Sequence, residues 1–223
     1  MTGSTAVGNT MDARFWHQKW QRGDLGFHQP QANPLLVRHC HRLRLAPGSR
    51  ILLPLCGMTL DISWLLAQGF RVAGVELSQV AVDELLNRLN LEPHITQVGS
   101  LRHHRVQDID LFVGDIFEVS ADWLGPVDAI YDRAALVALP DATRQRYASH
   151  LIRLTDTAPQ LLITYEYDQS QMAGPPFSVP QPAIERLYGA AYQLQSLERQ
   201  AVAGGFKGKV AAIEAAWLLQ PKR

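Results

Sequence analysis

Apolar residues in this chain gather into short unbroken runs, separated by stretches in which they recur every three or four positions. The run Arg50-Ile51-Leu52-Leu53-Pro54-Leu55-Cys56-Gly57 ends at a glycine turn, and Val72-Ala73-Gly74-Val75-Glu76 ends at an acid. Between them, from Leu60 to Gln68, Leu60, Trp64, Leu65 and Leu66 repeat at helical spacing, and Gly69 supplies a stop. The pattern predicts a βαβ unit that brings the glycine turn and Glu76 to neighbouring strand ends. Ser78 stands where an N-cap belongs, before the helical pattern Val80-Ala81-Val82-Asp83-Glu84-Leu85-Leu86. Further strands are expected at Asp110 to Val113, Val127 to Tyr131 and Gln160 to Tyr165, with a helix from about Asp141 to Leu154 between the last two. Alternating strands and helices imply an α/β fold with a parallel sheet. Beyond them, Tyr192 to Val202 and Lys209 to Leu219 are strand-like and flank Gly204-Gly205-Phe206-Lys207-Gly208, which predicts an antiparallel hairpin added to that sheet.

Composition narrows the functional classes. At 223 residues the chain suits one domain. Its 21 basic and 21 acidic residues cancel, so no overall charge draws it to nucleic acid or an anionic membrane. A small-molecule partner is expected instead. No window approaches the roughly 18 consecutive apolar residues of a membrane span, and Cys40 and Cys56 have neither disulfide-framework nor zinc spacing. A reducing cytoplasm and no resident metal are the expectations. The basic cluster Arg102-His103-His104-Arg105 reads as a solvated loop, and residues 1–10 as a disordered leader or cloning residue, with Met11 an alternative start.

The chemistry-bearing residues collect at expected strand ends. Only one glycine stands in Pro54-Leu55-Cys56-Gly57-Met58-Thr59-Leu60-Asp61, against three in the dinucleotide fingerprint G-x-G-x-x-G. The missing glycines are those that let a pyrophosphate approach a helix N-terminus. Glu76, about 20 residues on, suits an unphosphorylated ribose. A nucleoside ligand without phosphates, such as S-adenosylmethionine, meets both conditions; an NAD-dependent oxidoreductase satisfies only the second. Asp115-Ile116 can offer an adenine a hydrogen-bonding edge and an apolar slot, although an aspartate after a strand also serves as a simple cap. Arg133 is a rigid fork for a carboxylate or an anionic substrate, or else a partner for Asp132 or Asp141. Pro175-Pro176-Phe177-Ser178-Val179-Pro180 is either a plain connection or a substrate wall. Trp16 and Trp20, four apart, share a helix face that packing on the sheet would explain. The loop Gly23-Asp24-Leu25-Gly26-Phe27-His28 has the glycines and aromatics of a cover.

Four blocks, in order, give the chain a resemblance to the thiopurine S-methyltransferase family and in particular to its bacterial branch. They are Trp16-His17-Gln18-Lys19-Trp20 through Gly26-Phe27-His28-Gln29; Pro54-Leu55-Cys56-Gly57 with Leu60-Asp61; Val72 to Ser78; and Asp132-Arg133-Ala134-Ala135-Leu136-Val137-Ala138-Leu139-Pro140. The resemblance runs from about Phe15 to Leu219. It implies a class I S-adenosylmethionine-dependent methyltransferase fold (Rossmann-like), a single domain over residues 11–223, and a segment over residues 11–45 covering the active site. It further implies S-adenosyl-L-methionine as cofactor, S-adenosyl-L-homocysteine as product, and a cytoplasmic monomer. Thiopurines, aromatic or heterocyclic thiols, and selenium or tellurium species are the implied acceptors. On the matching positions, Trp20, Leu55, Glu76, Ile116 and Arg133 should border the cofactor and Phe27 should face the substrate, with Arg133 the candidate catalytic residue. Two departures bear on substrate range. Met58 stands where relatives usually carry lysine, and the 204–209 segment lacks an arginine that relatives often place there, leaving Lys207 or Lys209 as substitutes. A cofactor-binding protein without catalysis is the remaining alternative.

Overall fold

The computed structural model describes residues 13–22, 31–206 and 208–222. Its elements are α1 (Ala13–Arg22), α2 (Pro34–His39), β1 (Arg50–Pro54), α3 (Asp61–Ala67), β2 (Arg71–Glu76), α4 (Gln79–Leu89), β3 (His94–Val98), β4 (Leu101–Val106) and β5 (Ile109–Val113). They continue with α5 (Ala121–Leu124), β6 (Ala129–Arg133), α6 (Asp141–Leu154), β7 (Gln160–Tyr167), α7 (Gln181–Tyr188), β8 (Tyr192–Ala201) and β9 (Ala212–Pro221). All nine strands form one sheet in the order β3-β4-β5-β2-β1-β6-β7-β9-β8. The five strands β5, β2, β1, β6 and β7 run parallel; β4 and β9 run antiparallel to their parallel neighbours.

Strand periodicity divides the core into two layers. Leu52, Ala73 and Ile130 face a cluster with Tyr147 and Leu151 of α6 and Ile184 and Leu187 of α7, while Ile51, Leu53 and Val72 face Leu35, Ile62, Leu65, Val82 and Leu85 from α2, α3 and α4. Helices therefore cover both faces, and the parallel strands read as unbroken apolar runs because neither face is wet. The expected caps hold: the Ser78 hydroxyl accepts the Ala81 amide at 3.4 Å, and α6 spans the residues its periodicity predicts.

Two expectations are corrected. Arg102-His103-His104-Arg105 is not a loop but the middle of β4, in which Leu101 and His104 are buried, on opposite faces of the strand, and Arg102 and Arg105 are exposed. Leu101 and Val106 bracket four residues without an apolar side chain, so a hydrophobicity reading finds no strand there; His104 is nevertheless 1% exposed. The expected antiparallel hairpin is present and extends the sheet beyond β7, with β9 next to β7 and β8 at the edge. Its second strand begins at Ala212 rather than Lys209, since a Phe206 to Val210 bridge occupies the intervening loop. The sequence pattern also left α7 unrecognised. Residues 1–10, the Gly23 to His28 loop and Phe27 lie outside the described residues. Among the described residues no helix is long and apolar enough to cross a membrane, and no cluster of three His, Cys, Asp or Glu side chains could hold a metal.

Candidate functional site

Between β1 and β6 the chain reverses the direction in which it builds the sheet, and a crevice opens there beyond the carboxyl ends of the parallel strands. A cavity of about 490 Å³ occupies it. Successive strand ends supply its lining: Leu55 to Gly57 after β1, Glu76 and Leu77 after β2, Asp115 to Phe117 after β5, and Arg133 from β6. Trp16, Lys19 and Trp20 of α1 line it as well. Six of the seven residues expected at the site thus meet in one cavity, and the seventh, Phe27, lies outside the described residues. Trp20 also belongs to the core cluster containing Leu53, so the shared face of α1 both packs on the sheet and borders the cavity.

The turn after β1 is tied to β2 at two points. Leu55 takes a φ of 48° and Gly57 one of 54°. The left-handed conformation at leucine costs on the order of 1–2 kcal/mol, and surrounding bonds hold it: the Cys56 amide donates to the Val75 carbonyl at 3.0 Å. The Gly57 amide donates to Glu76 Oε2 at 2.8 Å, and the Ser78 amide to Oε1 at 2.8 Å. These two bonds take one acceptor site on each carboxylate oxygen. Burial pushes the Glu76 carboxyl above its ordinary value, while the amides of Ser78, Gly57 and Leu77 pull it back.

Arg133 is held by neither of the partners weighed from sequence. Asp141 pairs with Arg186 at 2.8 Å, and Asp132 lies in the opposite layer, accepting the Leu136 amide at 3.1 Å and the Tyr147 hydroxyl at 2.8 Å. The Arg133 guanidinium instead lies 3.7 Å from Asp61 Oδ2. Asp61, in the first turn of α3 and 1% exposed, also accepts the Asn33 amide at 2.7 Å and the Tyr131 hydroxyl at 3.0 Å. Asn33 in turn caps α2 and donates to Glu214 at 3.4 Å. This network joins the strand end bearing Arg133 to the segment that enters α2.

Asp115 caps the segment after β5 and also lines the cavity. Its Oδ1 accepts the Phe117 amide at 3.0 Å, a cap, and the residue still lines the cavity beside buried Ile116. Met58 is 5% exposed, belongs to the core cluster beneath α3, and does not line the cavity. Both cysteines are buried and outside any disulfide; burial and then the Glu76 charge drive the Cys56 thiol well above its ordinary value. Sequence reasoning missed Asp61, Tyr165, Met172 and Phe206 as lining residues; of the proline-rich segment, Pro175 and Pro176 line the cavity. Lys209 is exposed and does not line the cavity; Lys207 lies outside the described residues.

Comparison with known proteins places the geometry in context. The profile of the thiopurine S-methyltransferase (TPMT) family matches residues 11–219. A thiopurine S-methyltransferase of Teredinibacter turnerae is 53% identical over 209 residues, covering 94% of this chain and 97% of the relative. One from Xanthobacter autotrophicus is 53% identical over 211 residues, covering 94% and 99%. Among solved structures, a SAM-dependent methyltransferase from Anabaena variabilis superposes with a TM-score of 0.65 at 17% identity over the full length of both chains. A Burkholderia thailandensis 1,6-didemethyltoxoflavin-N1-methyltransferase, solved with 1,6-didemethyltoxoflavin and S-adenosylhomocysteine, gives 0.62 at 15% identity over 93% of this chain and 87% of that one. These structures establish the class I methyltransferase fold.

Proposed function

The chain belongs to the thiopurine S-methyltransferase family, and from that premise we propose that its cavity binds S-adenosylmethionine and methylates the sulfur of thiopurines and other aromatic or heterocyclic thiols. Selenium and tellurium species, which present an equally soft lone pair, belong to the same acceptor class in this reading. Glu76 carries the proposal. Its carboxylate lines the cavity with one backbone amide already on each oxygen, leaving acceptor capacity for the two ribose hydroxyls. The single-glycine turn beside it offers no pyrophosphate cradle, which favours a nucleoside without phosphates over NAD.

In this reading Asp115 and the Ile116 backbone take the adenine, Leu55 and Trp20 border the cofactor, and Phe27 faces the acceptor. The 11–45 segment closes the site against water. S-adenosylmethionine supplies the methyl group, which passes to the acceptor sulfur as that sulfur's lone pair forms the new bond and the old C–S pair stays with S-adenosylhomocysteine. Aromatic thiols are acidic enough to react as thiolates near neutral pH, so no side chain is needed to remove a proton. Arg133 steadies the thiolate, and Asp61 fixes the direction of its fork. Holding the reactants in line is then the chain's main contribution.

Transfer of label from methyl-labelled S-adenosylmethionine to 6-mercaptopurine, benzenethiol, selenite or tellurite tests the reading. Label in the thiol products is the expected result. A protein that binds S-adenosylhomocysteine yet labels no acceptor would be a binding protein without catalysis, and the proposal would be abandoned.

A further inference from the structure

The glycine-rich loop between β8 and β9 delivers an aromatic ring to the cavity. Gly205 takes a φ of 69°, and a Cβ there would lie 2.4 Å from the Val210 carbonyl oxygen, so the position requires glycine. That close approach lets the Phe206 amide donate to Val210 O at 2.8 Å and the Val210 amide return to Phe206 O at 3.2 Å. The loop is therefore a built platform. Its ring meets Tyr165 at 4.7 Å and 77°, and Tyr167 at 5.4 Å and 86°. Both tyrosines are fixed in turn, Tyr165 by Glu214 at 3.2 Å and Tyr167 by the Pro176 carbonyl at 2.6 Å. The Phe206 ring remains half-buried and lines the cavity with Val137, Leu139, Met172, Pro175 and Pro176. None of these six is charged.

We propose that Phe206 is a specificity-determining residue, the aromatic wall of an acceptor subsite that selects flat ring thiols over puckered ones of similar size. The assignment deepens the function proposed above and rests on it. A ring pinned edge-to-face by two tyrosines presents a fixed surface against which a planar body stacks, whereas a chair-shaped ring touches it at a few hydrogens only.

Benzenethiol and cyclohexanethiol separate shape from reactivity, because their unequal intrinsic rates cancel when the ratio of their kcat/KM values is compared between variants. Phe206→Ala should lower the benzenethiol to cyclohexanethiol ratio roughly tenfold, mainly through KM for benzenethiol, and Phe206→Tyr should keep it within about twofold of the unaltered protein. Affinity for S-adenosylhomocysteine should stay unchanged in both. An unaltered ratio in Phe206→Ala, or a loss shared equally by the two thiols, overturns the assignment, as does weakened S-adenosylhomocysteine binding in both variants. Failure of the function itself is seen elsewhere: unaltered protein that methylates neither thiol removes the reading on which the subsite depends.

Discussion

Burial raises the Glu76 carboxyl above the ordinary glutamate value near 4.5, and that single shift gives ligand binding a pH dependence. Protonation turns an acceptor into a donor, so it removes a hydroxyl partner and sets an O–H against the Gly57 or Ser78 amide. Affinity for S-adenosylhomocysteine should therefore decline as pH falls, beginning above the range of an exposed glutamate. Glu76→Gln should bind roughly 10- to 100-fold more weakly at neutral pH and lose that decline; calorimetric titration across pH 4.5–8 checks both. A flat profile in the unaltered protein would place the titrating group elsewhere. Asp132 makes the opposite contribution to folding. Burial raises it from 3.8 to about 6 against bonds from Leu136, Tyr147 and Ala135, so the folded state holds its proton longer than the unfolded chain. Stability conferred by this group is fully present below the unfolded value and is lost as pH rises through the folded one, on the order of 2–3 kcal/mol in all. Relative to Asp132→Asn, the unaltered protein should lose stability between about pH 4 and pH 6 in urea unfolding, and a difference independent of pH would refute it. For Arg133→Ala, kcat/KM toward thiols should fall about 10- to 100-fold, measured by methyl transfer; unchanged affinity and turnover would remove Arg133 from the mechanism.

At the scale of elements, β1, β2, α4 and α6 were legible because their determinants are local: an unbroken apolar run, a serine cap, a helical period. The site's first half was legible for the same reason, since a turn and an acid one βαβ unit apart must meet at adjacent strand ends. The rest depended on long-range pairing. β4 escaped recognition because four of its six residues, Arg102 to Arg105, are basic or histidine, and Asp61, Tyr165 and Phe206 reach the cavity through strand order and a loop bridge that no local window contains. Gly74 illustrates how tightly these elements pack. A Cβ there would lie 2.6 Å from Leu111 Cδ2 and 2.9 Å from Cys56 Sγ, so β2 can pass between β5 and the turn only without a side chain. Gly74→Ala should cost about 1–3 kcal/mol in urea unfolding and weaken S-adenosylhomocysteine binding through Cys56. Stability equal to that of the unaltered protein would mean the turn yields freely.

For the whole molecule, the crevice at the sheet's reversal point predicts which ligands stabilise the fold. A ligand present at about 100 times its dissociation constant adds about 2.7 kcal/mol, which raises the melting temperature of a chain this size by roughly 5–10 °C. S-adenosylhomocysteine should produce such a rise and NAD none; the reverse outcome would favour an oxidoreductase. The sheet's assembly order has its own consequence. β9 pairs with β7 along eight residue positions and with β8 on its other side, and most of its side chains are buried. Synthesis proceeds from the N-terminus, so β7 emerges from the ribosome well before the strand that covers its flank. Throughout that interval the nascent polypeptide carries a bare apolar ribbon able to pair with a neighbour, and that is when a chaperone has most to do.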